Sequence, residues 1–329
     1  MPTELRDSLV RPIEYLRISV TDRCNLRCRY CMPPDGVPRR SHDDILRYEE
    51  IVRAVRAIVP LGLTRVRLTG GEPLVRPGLP TLVRMLGAVK GLRDIALTTN
   101  GQLLAERARE LRDAGLRRIN ISLDTLQPER YREITLGGEI DRVFAGIAAA
   151  REAGLSPIKI NAVLIRGMND DEVVDFAQLT LGEPYDVRFI EFMPMGDVGL
   201  WSPEAVVPEE ETRAAVEALG PLEPAPTPAT SRGGEAWRLP GAKGTIAFIS
   251  PVSRPFCSSC NRLRLTADGK LRPCLLADHS VDLRAVLRSG ACDSYIRAAF
   301  AEAACAKPNG HHLSEGVTCL TTPMAAIGG

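Results

Sequence analysis

Arg65-Val66-Arg67-Leu68-Thr69-Gly70-Gly71-Glu72-Pro73 alternates apolar and polar residues for five positions and then stops in glycine. Alternation with period two marks a β-strand, and the break marks the strand's C-terminal end. The helical pattern Leu79–Val89 follows at once, so the unit is strand, turn, helix. Outward from it the unit recurs. Strand-like runs fall at Leu16–Val20, Ile95–Thr99, Ile119–Leu123, Ile158–Leu164 and Val187–Phe192. Amphipathic stretches at Tyr48–Val59, Leu103–Ala114, Arg142–Ala153 and Asp171–Leu179 lie between them, several ending at Gly62, Gly115 or Gly154.

Six such units predict an α/β fold with a parallel sheet and helical crossovers. Polar residues collect where nearly every strand ends: Thr69 to Pro73, Thr98 to Asn100, Ser122 to Asp124, Asn161, and Glu191 to Met193. An open doubly wound sheet concentrates such groups at one switch point, whereas a barrel draws them from around its mouth. The expectation is a six-unit partial β/α barrel over residues 1–220. A smaller α+β region follows over 221–329, set off by the Pro- and Gly-rich stretch 221–234, which reads as a linker or mobile loop. After Trp201 the pattern weakens, and the remaining strand-like runs are Trp237–Leu239, Thr245–Ser250 and Arg262–Thr266.

With 44% hydrophobic and 25% charged residues in 329 positions, the chain has the composition of a globular protein with a sizeable core. Its formal net charge of +1 supplies no global field toward nucleic acid or an anionic membrane. No segment has signal-peptide or membrane-span character, which predicts a cytoplasmic protein. Its nine cysteines are then metal ligands or free thiols before they are disulfides.

Two cysteine groups stand out. Cys24, Cys28 and Cys31 have the spacing C-x3-C-x2-C directly after the first strand, with no fourth Cys or His close by. A closed zinc site wants four ligands, whereas three thiolates on a four-iron cluster leave one iron open. Cys257, Cys260 and Cys274 form a second group, C-x2-C-x13-C. Asp268-Gly269 reads as a hairpin turn that folds Cys274 back toward the other two. By spacing alone a zinc site completed by His279 or another Cys remains open here. Cys292, Cys305 and Cys319 match neither pattern and read as free thiols.

The first motif, with Tyr30 before its last cysteine and Gly70-Gly71-Glu72-Pro73 ending the second strand, resembles the radical S-adenosylmethionine superfamily. The context of the second set is Phe256-Cys257-x-x-Cys260-Asn261-Arg262-Leu263-Arg264, then Gly269-Lys270-Leu271 and Cys274-Leu275. It is similar to the MoaA family, the GTP 3′,8-cyclases that open molybdenum cofactor biosynthesis. Leu16–Asp22, Val66–Thr69, Lys159–Asn161, Arg188–Glu191 and the terminal Ile327-Gly328-Gly329 match as well, so the resemblance covers most of the chain outside about 197–243.

The resemblance implies two [4Fe-4S] clusters with three cysteines each, and S-adenosylmethionine chelated at the open iron of the first. Reductive cleavage would give a 5′-deoxyadenosyl radical that takes hydrogen from C3′ of GTP, after which that carbon attacks C8 of guanine. It places the S-adenosylmethionine contacts at Tyr30, Gly71, Ser122 and Met193. GTP contacts fall on Arg17, Arg65, Arg67, Thr98, Lys159, Arg188, Arg262, Leu263, Arg264, Gly328 and Gly329, the last two entering the active site as a tail. The implied partners are a reducing protein such as flavodoxin or ferredoxin, a second copy in a homodimer, and the cyclic pyranopterin monophosphate synthase that receives the product. Independently of family, Gly70 and Gly71 would let backbone approach a ligand, and Arg65 and Arg67, two apart, share one strand face. Inward cations on several strands would repel one another unless an anion sits between them. The competing readings are a peptide-modifying radical enzyme with an auxiliary cluster, and a zinc-binding interaction module.

Overall fold

The structure, a computed structural model, describes residues 4–38, 40–195, 199–226, 235–311 and 324–328. Six parallel strands form its centre: β1 (Tyr15–Ser19), β2 (Arg65–Thr69), β3 (Asp94–Thr99), β4 (Arg118–Ser122), β5 (Ile158–Leu164) and β6 (Asp186–Glu191). Each lies within a residue or so of its expected place. Helices α1 (Tyr48–Ile58), α2 (Leu79–Gly87), α3 (Ala108–Asp113), α4 (Pro128–Thr135), α5 (Ile140–Glu152) and α6 (Val173–Gly182) return the chain between them. Helix α1 shows the logic. Ile51, Val52, Ala54, Val55 and Ile58 recur at helical spacing and are all buried. Glu50 caps its start by accepting the Arg47 backbone N–H at 2.6 Å.

Two helices depart from the sequence reading. The stretch expected to be helical from Leu103 becomes regular only at Ala108, because Gly101 to Arg107 form turns, with Leu104 N–H donating to Gly101 O. Helix α4 was not anticipated: its polar sequence, with Pro at the start, buries only Tyr131, Ile134 and Thr135. The apolar stripe that sequence analysis relies on is too short there.

The remaining chain forms α7 (Glu209–Glu217), β7 (Glu223–Ala225), β8 (Ala236–Arg238), β9 (Thr245–Ile249), β10 (Arg262–Leu265), β11 (Lys270–Arg272), β12 (Val281–Asp282), α8 (Leu283–Arg288), α9 (Asp293–Cys305) and α10 (Met324–Ile327). Strands from both regions of the chain join one sheet, in the order β12-β11-β10-β1-β2-β3-β4-β5-β6-β9-β8-β7. Strand β10 runs parallel to β1, and β9 runs parallel to β6. The six-unit barrel therefore gains one parallel strand at each edge. The stretch taken for a linker contains β7, an edge strand in which Pro224 faces Trp237 of β8; a proline is tolerated at an edge because no neighbour needs its N–H. Asp268-Gly269 does make the turn between β10 and β11, with Gly269 at φ +83°.

One face of the sheet is apolar and packs on the helices, through Leu16, Ile18, Val66, Leu68, Ile119, Ile121, Ile158, Ile160 and Leu263. The alternate residues point to the other face and are strongly polar. Residues from β1, β3, β4, β5, β6, β9 and β10 line a single cavity, so the sheet curls around it as a partial barrel. No helix among the described residues is long and apolar enough to cross a membrane.

Candidate active site

The cavity is about 320 Å³ and both cysteine triads line it. Cys24, Cys28 and Cys31 occupy the loop after β1. Cys257 and Cys260 precede β10, and Cys274 follows β11, brought back by the hairpin. None of these six is in a disulfide. Among the described residues no group of three or more His, Cys, Asp or Glu is arranged to hold a single metal ion.

The first loop is held from below by Gly70 to Pro73. Gly71 N–H donates to Thr21 O and Glu72 N–H to Arg23 O, both at 2.8 Å. A Cβ on Gly70 would lie 2.6 Å from Thr21 O, and one on Gly71 would come closer still to Arg23 O. The two glycines therefore make room for the cysteine loop's own backbone, and both also line the cavity. Glu72, 1% exposed, accepts from Leu74 N–H (2.9 Å), the Thr99 hydroxyl (2.7 Å) and Asn100 N–H (2.7 Å), tying the ends of β2 and β3 together. Burial pushes its carboxyl up to about 7 despite those donors. Gly71→Ala is expected to expel the loop, since overpacking costs about 1–3 kcal/mol; a chemical assay should find less iron per chain than in the unaltered protein.

The thiols themselves are costly to ionise without a cation. Burial pushes Cys24 up to about 12, and a hydrogen bond with Cys31, then burial, raises Cys28. A metal centre held by these three thiols would supply the positive charge they lack. At the second triad the balance differs: burial works upward on Cys260, but the charges of Lys307 and Arg262 outweigh it and the net shift is down.

Around the rim, the Tyr30 hydroxyl donates to Asp124 Oδ2 at 2.5 Å, and Asp124 Oδ1 accepts Val163 N–H at 2.8 Å. Burial raises Asp124 to about 6. Ser122, Thr98, Met193 and Asn161 line the same cavity. The Thr98 hydroxyl is buried without a hydrogen-bond partner among the described residues.

Below the mouth the barrel interior is cationic. Cross-strand register sets Arg264, Arg17 and Arg67 side by side on β10, β1 and β2. Arg118, Lys159, Arg188, Arg65 and Arg262 complete the lining. Arg65 pairs with Glu14 at 2.8 Å, Arg118 with Asp94, and Lys159 and Arg188 with Asp186. Among the described residues, three carboxylates thus pair with four of these eight basic side chains. Arg17 and Arg67 each keep a buried Nε without a partner among the described residues. Burial, then repulsion by Arg264 and Arg67, drives Arg17 well below its ordinary value. Arg264 and Arg67 are brought to about 10, mainly by burial. Burial alone would raise Tyr15, yet the surrounding arginines, Arg67 foremost, bring it below the usual phenol value. A field of that sign in a low-dielectric interior calls for an anion.

Sequence reasoning placed most of these groups. Arg17, Arg262 and Arg264 reach the cavity, while Arg65, Arg67, Lys159 and Arg188 lie deeper in the same barrel. Leu263 is 0% exposed and packs in the core on the opposite face of β10, so only its backbone could reach a ligand. Gly328 lies beside Thr69, Ser19 and Gly70, and its carbonyl accepts from Arg264 at 2.6 Å. Gly329 and Cys319 are outside the described residues, and Cys292 and Cys305 are exposed free thiols. Arg118 was missed, although it shares a face with Ser122 two residues beyond Asn120, and so were Asp124, Glu72 and Lys307. The first could have been found by period-two counting; the others show their role only through partners distant in sequence.

The family model described as "Radical SAM superfamily" matches residues 18–180, and "Molybdenum Cofactor Synthesis C" matches 185–313. A GTP 3′,8-cyclase of Moorella thermoacetica is 53% identical over 99% of this chain and 100% of its own length. The chain belongs to the GTP 3′,8-cyclase family. A member from Pelotomaculum thermopropionicum is 52% identical over 95% of this chain and 96% of its own, and one from Alkaliphilus metalliredigens 48% over 99% and 100%. The fold of this radical S-adenosylmethionine family is shared with a solved structure of Streptococcus suis SuiB bound to precursor peptide SuiA. That likeness has a TM-score of 0.60 at 16% identity, covering 81% of this chain and 61% of that one. At such identity it speaks for the fold alone.

Proposed function

We propose that this enzyme converts GTP to (8S)-3′,8-cyclo-7,8-dihydroguanosine 5′-triphosphate, the first step of molybdenum cofactor biosynthesis, with S-adenosylmethionine as co-substrate. The observation that carries the reading is one cavity with a thiol triad on each side and an under-compensated column of cations beneath. A four-iron cluster on Cys24, Cys28 and Cys31, when bound, supplies the electron that cleaves S-adenosylmethionine. Cys257, Cys260 and Cys274 would hold a second cluster, which would bind the purine side of the substrate.

The chain's own part is positional. Tyr30, fixed by Asp124, and Gly71, Ser122 and Met193 border the S-adenosylmethionine side. Arg17, Arg67 and Arg264 take the triphosphate, with Arg65, Lys159, Arg188 and Arg262 completing the charge and Thr98 offering its hydroxyl to the nucleoside. The carbonyl of Gly328, held by Arg264, narrows the mouth and excludes water from the radical. A low-potential protein such as flavodoxin or ferredoxin provides the electron. The enzyme works in the cytoplasm as a homodimer, and its product passes to cyclic pyranopterin monophosphate synthase.

The decisive experiment gives the anaerobically reconstituted enzyme a reductant, S-adenosylmethionine and GTP deuterated at C3′. Deuterium in the 5′-deoxyadenosine supports the reading; unlabelled 5′-deoxyadenosine with GTP unchanged removes GTP as substrate.

A pH effect follows from Lys159. Burial, then Arg188, brings it down to about 8, against the pull of Asp186. Because the fold disfavours the ammonium, its destabilising contribution is present below pH 8 and disappears as pH rises from there toward 10.5. A triphosphate reverses the shift, so binding at pH 8 to 9 is expected to take up protons. Titration calorimetry in buffers of different ionisation enthalpy reads that uptake, and it should vanish in Lys159→Met.

A further inference from the structure

The chain carries five lysines against 37 arginines, and one of the five, Lys307, is 4% exposed beside the second triad. It follows α9, whose Ile296, Phe300, Ala303 and Ala304 are locked in the core, and so extends from a rigid platform. Its Nζ donates to Arg262 O at 3.0 Å and to Pro273 O at 2.9 Å. Arg262 lies two residues past Cys260, and Pro273 immediately precedes Cys274. One ammonium therefore spans the open end of the β10–β11 hairpin and sets the separation of the two cysteine-bearing segments. Arg11 does the corresponding work on the third: it donates to Cys257 O at 2.5 Å and to Pro308 O at 3.0 Å, while paired with Asp7.

Two neutral carbonyls satisfy donors but do not balance a buried charge. Besides the two carbonyls, the ammonium hydrogen-bonds the side chain of Cys260. The anionic groups facing the same cavity wall are the thiolates of the second triad. An ammonium suits the place because its three donors diverge from one compact point, whereas a planar guanidinium would direct its fork elsewhere. We propose that Lys307 is the positioning residue of the second cluster, fixing the spacing of Cys260 and Cys274 and supplying the counter-charge to the three thiolates. This rests on the reading that the second triad holds an iron–sulfur cluster.

The test removes the first cluster with Cys24→Ala/Cys28→Ala/Cys31→Ala and compares that parent with the same protein carrying Lys307→Gln, and in parallel Lys307→Met. Iron release to bathophenanthroline is expected at least about tenfold faster in both, on the scale of losing an outer-shell partner. The midpoint potential followed by electron paramagnetic resonance should move negative, because a nearby positive charge favours the added electron. Unchanged release and unchanged potential overturn the proposal. A lower melting temperature of the metal-free protein, with release and potential as in the parent, also overturns it, since Lys307 would then serve the fold alone. A parent that binds no iron sinks the second-cluster reading itself, and the proposal with it.

Discussion

Cys28→Ala is expected to end reductive cleavage of S-adenosylmethionine. Two thiols would remain for a four-iron cluster that the loop supplies with only three, and the loop offers no substitute: its other side chains are arginines, Asn25, Leu26 and Tyr30. Formation of 5′-deoxyadenosine should fall by more than about a thousandfold, the scale of losing a catalytic group outright. Iron should fall from about eight to about four per chain, because the second set is untouched. The melting temperature of the metal-free protein should hardly change, since Cys28 lies outside the apolar core. Cys305→Ala, at an exposed thiol far from both triads in sequence, is the matched control and should retain both iron and turnover. Retained cleavage in Cys28→Ala would remove the first triad from the chemistry.

The second large effect is expected at the meeting of Arg264 with the tail. Arg264 is 6% exposed, neighbours Arg17 in register, and donates to Gly328 O. Arg264→Ala removes both a cation proposed for the triphosphate and the hydrogen bond to the tail. A charge-assisted hydrogen bond is worth about 1.5–3 kcal/mol, so losing contacts on both sides should lower kcat/KM for GTP by a hundredfold or more, on the order of two such bonds. Gly328→Ala separates the two roles. Gly328 has φ +82°, and an added Cβ would sit 2.7 Å from Thr69 Cγ2 and 3.1 Å from Ser19 Cβ. The tail must then leave its seat while every cation stays. Expected is near-normal GTP affinity with strongly reduced cyclisation, and 5′-deoxyadenosine formed without cyclised product. Equal losses of GTP affinity in both variants would show that the tail has no role apart from the cations.

What could be read from sequence and what could not divide along a physical line. The strand face Arg65, Arg67, Thr69 is a local property: alternation forces these residues to one side, while their inward direction came from the family resemblance. The three-thiol loop is equally local. That Gly70-Gly71 also seat the cysteine loop was not legible, because the backbone that presses on them, Thr21 to Arg23, is some fifty residues away. Edge strand β7 was hidden by its proline and by a length of three residues, too short for any periodicity to register.

By itself, then, the amino-acid sequence determined the six strands of the barrel, the two cysteine sets and the shared face of Arg65 and Arg67 and, through the resemblance those motifs carry, the inward-facing bases and the family. Only the tertiary structure decided that both triads face one cavity, that Arg264, Arg17 and Arg67 stand in register, that Gly328 is seated on Arg264, and that Lys307 bridges the second hairpin. The reason is range: periodicity and turn chemistry act over a few residues, whereas parallel pairing of β10 with β1 joins positions some 250 residues apart, and the burial that gives those charges their meaning exists only once the sheet has curled.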